Sequence, residues 1–409
     1  MKSSQQNIDL TFKANRGVGR HGWLRLTPAY GVRVVRDKLA SVEEGQIVTD
    51  PFSGSGTTAL AAAEDGHIGQ GSDINPFLVW LGNTKCAEYS EDDLEETLAA
   101  VSAIESTARK LARRKALWTP NIANIERWWN SGVINMLSAL KLAIDEESCS
   151  EKASNLLRVG FSRVVMEVSN ASFNHQSMSF KSDVADESPK AEAYSLVLSA
   201  FRASVVEVVS SAREPLAGTG SISLVDARHA SKVLRPCDLL ITSPPYVNRM
   251  SYIRELRPYM YWLSYLVTPK DAGSLDWEAI GGTWGTATSN LNHWEQSKAL
   301  VIDKTMTQVT RQVENDGGKN GFVLAQYIRK YFEDMAIHFE AAMTLVKPGG
   351  SLSYIVGNST FYGHVVPAEE WYAKLMKECG FENVQVSTIR KRNSKKELFE
   401  FDVTARRPK

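Results

Sequence analysis

Gln46-Ile47-Val48-Thr49-Asp50-Pro51-Phe52-Ser53-Gly54-Ser55-Gly56-Thr57-Thr58 decides the fold. Ile47 and Val48 open a short apolar strand that ends on the Asp50 carboxylate. Gly54 and Gly56 then turn the chain into Thr57 to Ala63, which reads as a helix. A second strand, Ile68 to Ile74, carries Asp73 near its end, so the order is that of a βαβ unit with parallel pairing. Further strands are predicted at Ile222 to Asp226 and at Asp238 to Thr242, the latter a continuous apolar run suited to a strand covered on both faces. Ser351 to Val356 follows a helix expected to end in Lys347-Pro348-Gly349-Gly350, and Val384 to Ile389 with Leu398 to Ala405 makes a closing hairpin. These elements predict an α/β fold with a doubly wound, Rossmann-like sheet and a closing antiparallel hairpin.

Between the second and third strands the pattern turns helical. Ser90 can cap a helix whose first turn holds Glu91, Asp92 and Asp93, with Leu94, Leu98, Val101 and Leu111 on one face. Ile134 to Ile144, Ala153 to Val168 and Ala191 to Ala212 continue it, with a polar, aromatic interruption at Ser169 to Lys181. The expected organisation is therefore residues 1–84 as the first part of the sheet domain, 85–220 as a helical insertion that could read a target, and 221–409 as the second part. Trp277, Trp284 and Trp294, among glycines and polar residues, predict a long loop over about 268–320.

The 409 residues, 43% hydrophobic and 23% charged, suit a folded globular chain of two or three packed units. No run reaches the roughly 18 to 20 consecutive apolar residues of a membrane span, and Met1 to Leu10 lacks a signal peptide's apolar core, so a cytoplasmic protein is expected. Cys86, Cys149, Cys237 and Cys379 are too scattered for a disulfide framework or a zinc site, and no metal-ligand spacing occurs elsewhere. With a net charge of +0, any nucleic-acid contact has to come from local patches. Arg109 to Lys115 is one such patch, and Arg390, Lys391, Arg392, Lys395 and Lys396 form another.

Two short motifs carry chemistry. The glycines at 54 and 56 let the backbone approach a nucleotide-like ligand closely. Read as Gly54-x-Gly56-x-x-Ala59 with Asp73 downstream, the same turn also fits a dinucleotide-binding fingerprint, which keeps a nicotinamide oxidoreductase open. Thr242-Ser243-Pro244-Pro245-Tyr246 directly follows the apolar strand, at the sheet edge where such folds bind ligands. Two prolines stiffen that loop, leaving the Ser243 hydroxyl and the Pro244 carbonyl as acceptors for an amine and Tyr246 as a ring to stack on a base.

With both motifs in hand, the chain resembles the S-adenosylmethionine-dependent amino-methyltransferases of DNA. Their signatures are an Asp-Pro-Phe-x-Gly-Ser-Gly-Thr cofactor loop and a Ser/Asp/Asn-Pro-Pro-Tyr catalytic loop. His21-Gly22-Trp23-Leu24-Arg25-Leu26-Thr27-Pro28-Ala29-Tyr30 is similar to the segment that precedes the cofactor loop there, and Leu345 to Gly350 is common to methyltransferase sheets generally. The resemblance implies S-adenosyl-L-methionine as cofactor, held by His21, Pro28, Asp50, Pro51, Phe52, Gly54, Gly56 and Thr57. It assigns the ribose to Asp73 beside Ile74, and the adenine to Asp226 beside Ala227. Catalysis falls to Ser243, Pro244, Pro245 and Tyr246 on a flipped base. The cofactor loop precedes the catalytic loop by about 190 residues, the unpermuted order of the family.

The resemblance implies DNA as partner, and any restriction endonuclease would be a separate chain. Serine at position 243 favours N4 of cytosine over N6 of adenine. An RNA methyltransferase would share fold and loop, and a non-catalytic subunit would lack a signature residue. Carbon-5 chemistry needs a cysteine nucleophile, and Cys237 precedes its strand instead of ending it.

Overall fold

The structure is a computed structural model that describes residues 12–26, 30–172, 179–180, 189–283, 285–393 and 397–409. The chain runs through α1 (Val32–Leu39), β1 (Ile47–Asp50), α2 (Thr57–Glu64), β2 (Ile68–Asp73) and α3 (Pro76–Cys86). Then come α4 (Glu91–Leu111), α5 (Ile125–Trp128), α6 (Ser131–Glu146), α7 (Glu151–Glu167), the small pair β3 (Ala171–Ser172) and β4 (Ser179–Phe180), and α8 (Lys190–Ala212). The sheet resumes with β5 (Thr219–Leu224) and β6 (Cys237–Thr242), followed by α9 (Tyr252–Trp262), α10 (Pro269–Glu278), α11 (Thr286–Leu291), α12 (Asp303–Asp316) and α13 (Gly321–Leu345). The last elements are β7 (Val346–Gly357), β8 (Ser359–Phe361), β9 (His364–Val366), α14 (Ala368–Glu378), β10 (Glu382–Asn393) and β11 (Leu398–Arg406).

Among the described residues, seven strands form one sheet in the order β10-β11-β7-β6-β1-β2-β5. The run from β7 to β5 is parallel, and β11 lies antiparallel between β7 and β10, as the closing hairpin predicts. From β1 the chain winds one way through β2 to β5 and the other way through β6 to β7. The order therefore reverses between β1 and β6, and a crevice opens beyond their carboxyl ends. β1 and β2 stay in register from Ile47 opposite Ile68 to Asp50 opposite Gly71, which brings the two strand-end carboxylates, Asp50 and Asp73, to the same edge.

Several boundaries differ from the sequence reading for identifiable reasons. α13 stops at Leu345, before Pro348, so Lys347-Pro348-Gly349-Gly350 forms the irregular start of β7 and not a helix end. β5 stops at Leu224, because Asp226 instead caps a short 3-10 turn by accepting from the Arg228 amide. The expected loop at about 268–320 is largely helical. Thr268 and Asp271 form a capping box and Pro269 sits at the first position of α10, a start signal outweighed in sequence by the neighbouring glycines.

Ser90 caps α4 as anticipated, and Asp93 completes a capping box with it. The insertion helices do not fold apart from the sheet domain. Their apolar faces share one core with Trp23, Phe77 and α9. Its hub is Trp262 at the end of α9, fully buried, which meets Trp129 edge-on at 5.6 Å, Phe161 at 6.0 Å and Trp118 at 6.2 Å. The 23-residue α8, read in sequence as the helical stretch Ala191 to Ala212, is by length and composition apolar enough to cross a membrane. Half of its most apolar window is buried, and it packs on α4, α6 and α7.

Candidate functional site: a cleft at the switch point

The turn after β1 is built on its glycines. Gly54 and Gly56 have φ of 51° and 79°, left-handed values that favour glycine. A Cβ on Gly56 would lie 3.0 Å from the Gly82 Cα, so the turn also packs tightly on α3. Asp50 anchors it from behind. Fully buried, its carboxylate accepts from the Phe52 amide at 3.0 Å, the Tyr30 hydroxyl at 3.0 Å, Thr58 Oγ1 at 2.7 Å and Thr242 Oγ1 at 2.6 Å. Burial pushes the Asp50 carboxyl upward, against the four donors that favour its charged form.

Asp73 stands across the turn. One oxygen accepts from the Gly54 amide at 2.9 Å and the other from the Asn75 amide at 2.8 Å. Burial outweighs these amides and raises its carboxyl to about 7. Asp226 is held differently. Burial opposes its ionisation, but the Arg228 guanidinium, 2.5 Å from one oxygen, wins and keeps the carboxyl below its usual range. Arg228 also reaches Asp334 at 2.7 Å and the Glu278 carbonyl at 2.8 Å.

The loop after β6 is fastened by three tyrosines. Tyr331 donates to the Pro245 carbonyl at 2.6 Å, and the Tyr246 amide donates to the Tyr252 hydroxyl at 3.3 Å. The Arg249 amide, at a residue with φ of 62°, donates to the Tyr327 hydroxyl at 3.2 Å. Tyr246 itself turns toward the closing hairpin. Its hydroxyl donates to Glu400 at 2.8 Å and its ring lies 5.2 Å from the Arg392 guanidinium, while Arg390 holds Glu400 at 2.6 Å. Burial foremost, with the Glu400 charge, drives the Tyr246 phenol well above its ordinary value, so it stays protonated.

These parts meet in one cleft of about 970 Å³, counting its open mouth. Pro51, Phe52, Gly54 and Thr57 line it from the glycine turn, and Asp73, Ile74, Asp226 and Ala227 from the two strand ends beyond. Ser243 and Pro245 line it from the loop after β6. Five of the expected residues do not line it. Asp50 and Gly56 are structural supports behind the turn, Pro244 is buried in its loop, and Tyr246 is drawn to Glu400. His21 is buried against Glu64, its Nε2 3.1 Å from the carboxylate, and lines a neighbouring hollow that shares only Leu26 and Ser55 with the cleft. Pro28 lies outside the described residues.

Tyr252 and Ile253 belong to the stretch Val247 to Arg254, whose mix of aromatic and basic residues marks it in sequence as able to contact an extruded base, and both line the cleft from the first turn of α9. Leu256 lines it one turn on, and its apolar i, i+3 spacing from Ile253 could have flagged that face. Ala279 and Ile280 close the Asp226 end from the segment after α10, and no local pattern marks them. Cys237 begins β6 at the opposite edge, and burial pushes its thiol up to about 12, which leaves no thiolate for nucleophilic chemistry.

The cleft fits a nucleoside bearing a short polar tail. It offers a carboxylate able to accept from vicinal hydroxyls, apolar walls at Phe52, Ile74 and Ile280, a glycine cradle, and a buried Ser53 hydroxyl without a hydrogen-bond partner. Fold and cleft together define a doubly wound α/β protein with its ligand crevice at the switch point.

No protein-family model matches the chain. It is similar to curated proteins along nearly its whole length. One is the Type II methyltransferase M.BsoBI of Geobacillus stearothermophilus, 20% identical across 97% of this chain and 86% of that protein. Another is the Type II methyltransferase M.AvaI of Nostoc sp., 21% identical across 95% and 85%. Two solved structures overlay loosely. TrmN from Thermus thermophilus gives a TM-score of 0.30 at 11% identity, over 99% of this chain and 54% of that one. The rRNA methyltransferase aviRa from Streptomyces viridochromogenes gives 0.32 at 12%, over 99% and 94%.

Proposed function

We propose that this chain is an S-adenosylmethionine-dependent DNA methyltransferase that methylates the exocyclic amine of a flipped base, N4 of cytosine. The observation that carries the reading is the convergence of Gly54, Asp73, Asp226 and Ser243 on one cleft. The similarity to Type II methyltransferases over more than nine-tenths of the chain supports it, and serine at position 243 supports cytosine. A separate endonuclease partner belongs to the same reading.

S-adenosylmethionine bound along the glycine turn would supply a sulfonium methyl. The protein's own residues do the rest. Asp73 would accept from the ribose hydroxyls, and Phe52, Ile280 and Asp226, the last paired with Arg228, would hold the adenine. The exocyclic amine is a poor nucleophile because its lone pair is delocalised into the ring. Hydrogen bonds from it to Ser243 Oγ and the Pro244 carbonyl draw the nitrogen toward a pyramidal geometry, and the tyrosine-fastened loop costs little reorganisation as they form. Held by the glycine turn and Asp73, the cofactor would supply the methyl to that nitrogen and leave as the thioether, and the amine's surplus proton would pass to solvent. A base inside a duplex cannot reach this cleft, so it enters flipped.

The test is a transfer assay with isotopically labelled S-adenosylmethionine and methylation-free bacterial genomic DNA, followed by mass spectrometry of the nucleosides. N4-methylcytosine is expected. N6-methyladenine would move the target, label only in RNA would move the substrate, and calorimetric binding of NAD in place of S-adenosylmethionine would overturn the reading.

A pH dependence follows from Asp73. Only the ionised carboxylate accepts from both ribose hydroxyls, and in the free protein it protonates near 7. Cofactor affinity should therefore fall as the pH drops, by about tenfold between pH 8 and pH 6, since only the competent fraction binds. Titration calorimetry of the parent and of Asp73→Asn checks this: the variant should bind weakly and without that slope.

A further inference from the structure

Behind the Asp226 end of the cleft, one face of α13 grips the turn that carries Asp226 and Ala227. Lys330, Asp334 and His338 recur every four residues and so share that face. Asp334 receives Arg228 at 2.7 Å and Lys330 at 2.5 Å. Four residues on, the 1% exposed His338 has Nδ1 3.0 Å from the Ala227 carbonyl and Nε2 2.6 Å from the Tyr354 hydroxyl.

A carbonyl can only accept, so Nδ1 bears the proton and Nε2 accepts from Tyr354. The same ring meets Phe52 edge-on with centroids 4.7 Å apart. Ala227 and Phe52 both line the cleft. Burial drives the imidazole down to about 4, so the neutral tautomer persists across the working pH range.

We propose that His338 is a positioning residue for the nucleoside end of the cofactor, setting two walls of its subsite at once through Ala227 and Phe52 while touching no ligand itself. This rests on the S-adenosylmethionine reading above. Removing the ring frees the Phe52 edge and leaves the buried Ala227 carbonyl without its donor. No motif marks His338, which lies more than 280 residues from Phe52 in the chain.

The test compares the full chain with His338→Leu, His338→Asn and His338→Gln by calorimetry with S-adenosylmethionine and by steady-state kinetics on methylation-free genomic DNA. His338→Leu should weaken cofactor binding about tenfold and raise KM for the cofactor alike, with kcat and KM for DNA within about twofold of the parent. His338→Asn carries an amide N–H where Nδ1–H stood and should recover most of the affinity. His338→Gln reaches toward Tyr354 instead and should not. If His338→Leu fails to fold by circular dichroism, the Asn and Gln variants carry the test, and equal affinities for those two overturn the proposal. So does His338→Leu binding as tightly as the parent, or a loss spread equally over kcat and both KM values. A parent chain that binds no S-adenosylmethionine overturns the methyltransferase reading instead.

Discussion

Tyr246→Ala should bind S-adenosylmethionine within about twofold of the parent and transfer methyl groups at least about a hundredfold more slowly, a loss of the size expected when one transition-state contact is removed. The two halves of that expectation have separate structural grounds. Tyr246 lies outside the cleft wall, so the cofactor loses no contact. Its ring instead packs beneath Arg392 and its hydroxyl is spent on Glu400, which fixes the orientation of the aromatic face. On the proposed reading, a flipped base held by Ser243 would need that aromatic face to settle in the attacking orientation. Tyr246→Phe separates ring from hydroxyl. It keeps the stacking surface, gives up one bond to Glu400 and should retain activity within about tenfold. Equal losses in the two variants would assign the role to the hydroxyl, and undiminished transfer by Tyr246→Ala would remove this tyrosine from the mechanism.

Asp50→Ala should destabilise the fold by about 3–5 kcal/mol, read as a lower urea midpoint at unchanged slope. Four donors from three different parts of the chain converge on this one carboxylate. The Thr242 contact matters most for architecture, because it joins the end of β1 to the end of β6 across the switch point. Truncation leaves the Phe52 amide and the Thr242 hydroxyl short of this acceptor, while the Tyr30 and Thr58 hydroxyls keep only each other and the Ile241 carbonyl. Asp50→Asn keeps one acceptor oxygen and should cost about half as much. A loss under about 1 kcal/mol for Asp50→Ala would mean that water or a neighbour takes over the donors.

Asp50 also illustrates what a sequence can and cannot disclose. The strand, the glycine turn and the strand-end acids were all legible, because periodicity and turn chemistry are local properties. The same holds for the apolar run before Ser243 and for the helix cap at Ser90. What Asp50 does was not legible, since a ligand-facing and a buried carboxylate look alike until Thr242, almost 200 residues away, comes alongside. His21 was diverted by Glu64 at the end of α2, and Tyr246 by Glu400 from the closing hairpin, both long-range contacts. The segment at 268–320 was misread for a different reason. Its helix signals at Thr268, Pro269 and Asp271 were present, but the tryptophans and glycines that follow carried more weight. Ala279, Ile280 and His338 reach the site only through tertiary folding, so no spacing rule could have found them.

The Trp262 hub has an optical consequence. Of the ten tryptophans in the chain, Trp118, Trp128, Trp129 and Trp262 belong to one chain of ring contacts, and the last two are fully buried. A substantial share of the protein's intrinsic emission therefore originates where the insertion helices meet α9, the helix whose opposite end lines the cleft. Fluorescence followed through a melt would report the parting of insertion from cleft wall, with Trp371 adding the signal of the core on β7 and β11.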